Sequence, residues 1–128
     1  MSNLGKGVDP RWEAASQLEE QFAMLWVDMF PDLDLFTEYR FSDHRKFRFD
    51  FACPHSKVAI ELQGGIWGQG GHSTGTGISS DYEKFNLAQS LGWQVYLLTC
   101  DSYHQPETLR MIAQAIRQRS LAAASAAP

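Results

Sequence analysis

The chain has 128 residues, of which 44% are apolar, so it fits one domain with its own core and is too short for two domains of ordinary size. Its two cysteines, Cys53 and Cys100, are too few for a disulfide-stapled secreted scaffold. No apolar run approaches the ~18 residues of a membrane span and no signal peptide starts the sequence, which predicts a cytoplasmic protein with no membrane partner. The formal net charge of −4 argues against a broad basic surface for nucleic acid.

Positive charge is nevertheless concentrated in one short segment. Five basic residues fall between positions 40 and 48, namely Arg40, His44, Arg45, Lys46 and Arg48, whereas acidic residues are frequent in the first forty positions. The cluster has two interpretations, a solvated turn between strands or a phosphate-binding edge.

The first half of the chain predicts one helix and three strands. Apolar residues recur at the spacing of one helix face from Trp12 to Met29, and Pro31 closes the pattern. Three runs then have the composition of strands, at about Leu35 to Phe41, Phe47 to Cys53 and Val58 to Gln63.

The second half predicts a loop, two helices and a strand. Residues 64–78 contain seven glycines and predict a long functional loop. A helix is predicted from about Ser80, ending at Gly92, then a buried strand from Trp93 to Thr99 and a last helix from about Pro106. With flexible ends at 1–10 and 122–128, residues 11–121 form one α/β domain of order αβββαβα, a mixed four-stranded sheet flanked by helices.

The turn at residues 54–57 fixes the register of the second and third strands as an antiparallel hairpin. If Cys53 faces Val58, then Asp50 faces Glu61, and on the same side Arg48 faces Gln63 and Ala52 faces Ala59. The opposite side, which carries Phe47, Phe49, Phe51, Cys53, Val58, Ile60 and Leu62, is predicted to be core.

Two carboxylates in opposed positions have Cβ atoms ~5 Å apart and repel each other, so a cation is expected between them. A divalent metal such as Mg²⁺ would satisfy Asp50 and Glu61. A cross-strand ion pair with Arg48 would do so without a metal, and the hairpin alone leaves both alternatives open.

Phe49-Asp50, followed on the next strand by Glu61-Leu62-Gln63, resembles the PD-(D/E)xK nuclease superfamily. The run from Val58 to Gly65, then Asp81, Lys84 and Gly92-Trp93, looks like its very-short-patch-repair-like branch of small endonucleases, and the likeness extends from about Trp12 to Thr99. The resemblance implies a restriction-endonuclease-like fold and a DNA endonuclease that uses Mg²⁺, or Mn²⁺ as a substitute. It implies that Asp50 and Glu61 bind the metal and that DNA is the partner. A homodimer is possible, and the sequence leaves the oligomeric state open.

The sequence departs from the family motif at two positions. Phe49 stands where the family has proline, and Gln63 replaces the usual lysine. A glutamine can orient water or donate to a phosphate oxygen, but it carries no positive charge. Lys84 on the following helix could reach back and supply that charge, or it could pair with Asp81 on the helix surface. A degenerate nucleic-acid-binding module and a folded interaction protein are therefore the competing hypotheses.

Several further residues have both a functional and an ordinary interpretation. Glu19 matches a first-helix glutamate that family members direct into the metal site, but it could be a solvated or capping residue, with Glu20 as the rival position. His72 on the glycine-rich loop could act as an acid or base, or simply lie on the surface. Trp67 could stack on bases or fold back over the sheet. The predicted phosphate contacts are Arg45, Lys46 and Arg48.

A zinc site built from Cys53, His55, Cys100 and His104 has a superficial sequence signature. The predicted strand directions place Cys53 and Cys100 at opposite ends of the sheet. The sequence therefore argues against zinc.

Overall fold

The computed structural model describes residues 10–43, 45–63 and 75–126. Within them the elements follow the order α1 (Pro10–Met29), β1 (Phe36–Arg40), β2 (Arg48–Cys53), β3 (Val58–Gln63), α2 (Gly75–Ser90), β4 (Gln94–Thr99) and α3 (Pro106–Ala126). The four strands form one sheet in the order β1-β2-β3-β4. The first two pairings are antiparallel and the pairing of β3 with β4 is parallel. The predicted αβββαβα domain with a mixed sheet is confirmed.

Two element boundaries differ from the predicted ones by more than two residues. α2 begins at Gly75, so residues 75–78, predicted as part of the glycine-rich loop, are helical. α3 extends to Ala126 and therefore includes residues that the sequence placed in a flexible tail. Among the described helices, none is long and apolar enough to cross a membrane.

The β2–β3 hairpin has the predicted register, because Cys53 lies opposite Val58 and Ala52 lies opposite Ala59. The turn closes through the Lys57 amide, which donates to the Pro54 carbonyl over 3.2 Å. Lys57 itself has a φ of 58°, in the left-handed region that tight turns require. A turn this short leaves the two strands no freedom to slip.

Helices cover both faces of the sheet. On one face, Phe22 and Trp26 of α1 and the apolar side of α3 pack against Phe51 and Ile60, forming the larger core cluster. On the other face, Ala88 of α2 and Trp93 form a second cluster with residues from β2 and β3, which are Phe49, Ala52 and Ala59.

The prediction that Phe49 and Phe51 share a face is wrong. Phe51 packs in the cluster under α1 and α3, whereas Phe49 packs under α2, stacked on Phe41 with ring centroids 4.1 Å apart. The alternation of side chains changes at Asp50, between the β1–β2 pairs Thr37–Phe51 and Tyr39–Phe49. In the same interval of β1, Glu38 has a φ of 49°, which takes the chain out of the extended conformation.

The switch of faces also alters the expected division into a core side and a polar side. Ala52 and Ala59, predicted on the polar side with Asp50 and Glu61, are fully buried. The polar side is therefore limited to one end of the hairpin, beyond these alanines, where Asp50 and Glu61 lie.

Candidate active site

Asp50 and Glu61 are held against each other by reciprocal bonds between side chain and backbone. The Asp50 amide donates to Glu61 Oε2 over 2.8 Å, and the Leu62 amide donates to Asp50 Oδ2 over 2.8 Å. Each carboxylate thus accepts an amide from the opposite strand, which agrees with the predicted opposition of the two residues. Both side chains are fixed in position because charge-assisted bonds of this kind are among the stronger ones in proteins.

Lys84 supplies positive charge at this point. Its Nζ lies 2.7 Å from Glu61 Oε1, and the side chains of Lys84 and Glu61 are only 15% and 10% exposed. α2 carries Lys84 one turn before the buried Ala88, on the side that packs on the sheet. Asp81, the alternative partner on the helix surface, is exposed. The Lys84 side chain therefore reaches back to the strands, as one of the two predicted alternatives has it, and pairs with Glu61 instead of Asp81.

The alternative in which Arg48 neutralises the carboxylates finds no support in the described residues. Arg48 is exposed and lies opposite Arg40 of β1. The ion-pair partner of Glu61 is Lys84.

Two further glutamates complete an acidic cluster with Asp50. Carboxylate oxygens of Glu19, Glu38 and Asp50 all lie within 4.8 Å of one another. Glu19 is half-buried and its neighbour Glu20 is exposed, so Glu19 is the α1 glutamate that the site contains. Glu61 is outside this group of three, although its charge acts on Glu19.

Glu38 is the residue that sequence reasoning missed. It occupies the β1 position between the pairs Thr37–Phe51 and Tyr39–Phe49, and therefore the level of Asp50. A glutamate in the left-handed region is unusual, and conformations of this kind cluster at functional sites. Knowledge of the β1–β2 register would have placed Glu38 beside Asp50. The sequence does not fix this register, because no tight turn joins the two strands.

The crowding of carboxylates raises the affinity of the site for protons. Burial raises the pKa of Glu19 to about 7, and the charges of Asp50, Glu38 and Glu61 add to this effect. Burial also raises the pKa of Asp50, against the opposing influence of the Leu62 amide and Lys84. The pKa of Glu61 is raised by burial and by Asp50, while Lys84 lowers it. Negative charge at the site thus exceeds what Lys84 neutralises.

The oxygen-only donor set is the kind that hard divalent cations prefer. Glu19, Glu38 and Asp50 could share one such ion, since their oxygens are close enough to converge on it. Glu61 already accepts bonds from Lys84 and from the Asp50 amide, yet each carboxylate oxygen retains a second lone pair. These three carboxylates could therefore hold a divalent cation, with Asp50 linking them to Glu61.

The predicted phosphate-binding residues lie around the β1–β2 connection. Arg45 forms an exposed ion pair of 2.9 Å with Glu83 and lies over the Phe47 ring, 4.7 Å from its centroid. Lys46 and Arg48 are exposed. Gln63 is half-buried at the end of β3, opposite Thr99 of β4. His44, Trp67 and His72 lie outside the described residues.

The sheet excludes a zinc site that contains both cysteines. Cys53 lies opposite Val58, which lies opposite Gln94 at the start of β4, whereas Cys100 follows the last residue of that strand. The two thiols are at opposite ends of the sheet, as predicted, and both are free.

Comparisons with protein-family models, with curated proteins and with solved structures find no match to this chain.

Proposed function

We propose that the chain is a Mg²⁺-dependent DNA endonuclease that hydrolyses phosphodiester bonds, with Mn²⁺ as a substitute. The observation that carries the proposal is the contact between Lys84 Nζ and Glu61 Oε1, 2.7 Å apart and nearly buried, beside Asp50. A strand aspartate, a glutamate on the next strand and an inward-facing lysine are the groups expected of the nuclease family that the sequence resembles. Here the lysine comes from α2, whereas the family motif has it on β3.

The metal would be held by Asp50 together with Glu61 or with Glu19 and Glu38. A bound divalent cation would lower the pKa of water and stabilise negative charge on the phosphate and the leaving oxygen. The raised pKa values of Asp50 and Glu61 support this assignment, since such shifts are concentrated at functional sites.

The protein's own groups would position the substrate. The Lys84 ammonium has three donors, of which one is held by Glu61 Oε1, and it would donate another to a phosphate oxygen. Gln63 would orient the attacking water through its amide. Arg45, Lys46 and Arg48 would contact phosphates along the duplex, and roles for His72 and Trp67 remain predictions from sequence.

A second function is favoured by one specific observation. Lys84 already neutralises Glu61, so the hairpin can keep its two carboxylates without a metal. A protein with this arrangement could bind DNA through its basic segment and perform no hydrolysis. The alternative is a catalytically degenerate nucleic-acid-binding module of the same fold.

Nicking of supercoiled plasmid separates the two functions. The purified chain is incubated with plasmid in Mg²⁺, in Mn²⁺ and in EDTA, and compared with the variants Asp50→Asn and Asp81→Asn. We expect metal-dependent conversion to open circles by the wild type and by the control Asp81→Asn, and none by Asp50→Asn. DNA binding without cleavage in either metal would support the binding module, and the absence of both would refute the DNA-directed proposals. The cytoplasmic location likewise remains a prediction.

A further inference from the structure

The two edges of the sheet differ in how they are protected. β1, at one edge, carries the charges of Glu38 and Arg40, and the left-handed conformation of Glu38 interrupts the strand. Such features prevent a sheet edge from pairing with another chain. β4, at the other edge, has the sequence Gln-Val-Tyr-Leu-Leu-Thr and contains no charge, proline or glycine. It is the edge that is suited to pairing.

The backbone directions of β4 identify the groups that remain at the open edge. The Gln94 amide donates to the Lys57 carbonyl over 2.9 Å, so Gln94 directs its polar backbone groups toward β3. Because these directions alternate along a strand, Val95, Leu97 and Thr99 direct theirs away from β3. The Thr99 amide is satisfied by Ser102 Oγ at 2.9 Å, and its carbonyl accepts the amides of Ser102 and Tyr103.

Val95 and Leu97 therefore contribute two amides and two carbonyls to the edge. In the part of the chain that the structure describes, no donor or acceptor reaches these four groups. The Leu97 side chain is also 52% exposed, beside an open cavity of about 450 Å³ that Phe85, Trp93 and Val95 help to line. The lining also includes Gln89, Gln94 and Arg119, so the edge combines unpaired backbone groups with a recess that is only partly apolar.

We propose that β4 pairs antiparallel with β4 of a second copy of this chain, which joins two four-stranded sheets into one. With the two-fold axis perpendicular to the sheet at Tyr96, Val95 of each copy lies opposite Leu97 of the partner subunit. In this register both residues of the pair have outward amides and carbonyls, so four hydrogen bonds form across the axis. Opposed residues also point to the same face, so each exposed Leu97 side chain meets a Val95 side chain beside the recess.

The charges at the two ends of β4 favour this antiparallel arrangement. At the Gln94 end, Lys57 Nζ donates to the Leu91 carbonyl, and Arg119 donates to Gln94 Oε1 and to the Gly92 carbonyl. At the Thr99 end lies the exposed Asp101. Antiparallel pairing brings the cationic end of each copy to the anionic end of the other, whereas parallel pairing would place like charges together.

The pairing is independent of the proposed nuclease activity, since the strand involved carries none of the candidate site residues. A six-residue strand edge buries less area than the ~1,600 Å² of a standard stable interface. The dimer is therefore expected to associate reversibly, with the fraction of dimer rising with protein concentration and falling with salt.

Sedimentation equilibrium of the full chain over a wide concentration range tests the proposal. We expect the apparent mass to rise from 14.4 kDa toward twice that value for the wild type. Leu97→Lys should remain monomeric at concentrations where the wild type is mostly dimeric, because each dimer would place two lysines against apolar partners. The matched control is Val27→Lys on α1, also an exposed aliphatic position at 63%, which should dimerise like the wild type.

A second variant tests the register. Tyr96→Cys places one thiol of each copy at the axis, and under mild oxidation it should give a disulfide-linked dimer on non-reducing gels. The wild type, which retains Cys53 and Cys100, should not. A wild type that is monomeric at every concentration would overturn the proposal, as would a Leu97→Lys variant that dimerises normally. A dimeric wild type whose Tyr96→Cys variant does not cross-link would overturn this register.

Discussion

Replacing Glu19 by glutamine should stabilise the metal-free protein at neutral and alkaline pH. The pKa of Glu19 is raised from 4.5 to about 7 in the folded state, first by burial and then by Asp50, Glu38 and Glu61. The folded chain consequently binds the Glu19 proton more tightly than the unfolded chain does. The stabilisation from this proton is fully present below about pH 4.5 and is lost as the pH rises through about 7.

The size of the effect follows from the shift. One pKa unit corresponds to about 1.4 kcal/mol, so the full shift would cost the ionised protein roughly 3 kcal/mol. Glu19 is only half-buried, and solvent screening reduces this to about 1–2 kcal/mol. Glu19→Gln removes the ionisation, so above pH 7.5 its free energy of unfolding should exceed that of the wild type by this amount. The corresponding rise in Tm is roughly 5 °C.

Urea denaturation in EDTA between pH 4 and pH 8.5 measures the difference directly. The advantage of Glu19→Gln should be close to zero near pH 4 and grow as the pH rises through the unfolded and then the folded pKa of Glu19, and added Mg²⁺ should stabilise the wild type more than the variant, because the ion binds the folded carboxylates. Glu20→Gln, at the exposed neighbouring position, is the control and should follow the wild type at all pH values. A pH-independent difference, or equal effects of the two substitutions, would refute the electrostatic coupling of Glu19 to the cluster.

Three further predictions concern activity and binding. Asp50→Asn should abolish plasmid nicking while circular dichroism remains native, because the substitution lowers the charge repulsion at the site and keeps an acceptor for the Leu62 amide. Lys84→Ala should lower the cleavage rate by about 10²–10³ with little loss of DNA affinity measured by fluorescence anisotropy, whereas equal losses in both would assign Lys84 to binding alone. DNA affinity should fall steeply with salt, and Lys46→Ala should reduce the slope of log K against log salt by about one; an unchanged slope would remove this residue from the phosphate contacts.

The hairpin register could be predicted because a four-residue turn fixes it. Once Cys53 is placed opposite Val58, the opposition of Asp50 and Glu61 follows by counting, and the structure has both amide-to-carboxylate bonds at that point. The inward position of Lys84 could also be predicted from spacing along the sequence. It lies four residues before the buried Ala88, and this spacing places both side chains on one face of α2.

Glu38 and Phe49 could not be placed in the same way. The connection between β1 and β2 is too long for its sequence to set a register, and no sequence signal marks a glutamate that adopts a φ of 49°. That conformation accompanies the switch of alternation that separates Phe49 from Phe51. The sequence also did not predict that α2 begins at Gly75. Gly75 and Gly77 have a low helix propensity, which predicts a loop, but the rest of the helix overrides it.

The position of Lys84 makes a second lysine, at position 63, electrostatically unfavourable. A lysine at position 63 would project from the same strand as Glu61, two residues further along the same face. Lys84 approaches that carboxylate from α2, which packs over this face, and its Nζ is already 2.7 Å from Glu61 Oε1. A second ammonium beside it would face like-charge repulsion in a site of low exposure, where charges are poorly screened. Gln63 avoids that repulsion and keeps a donor and an acceptor for water, so a lysine on α2 and a glutamine on β3 are electrostatically compatible at this site.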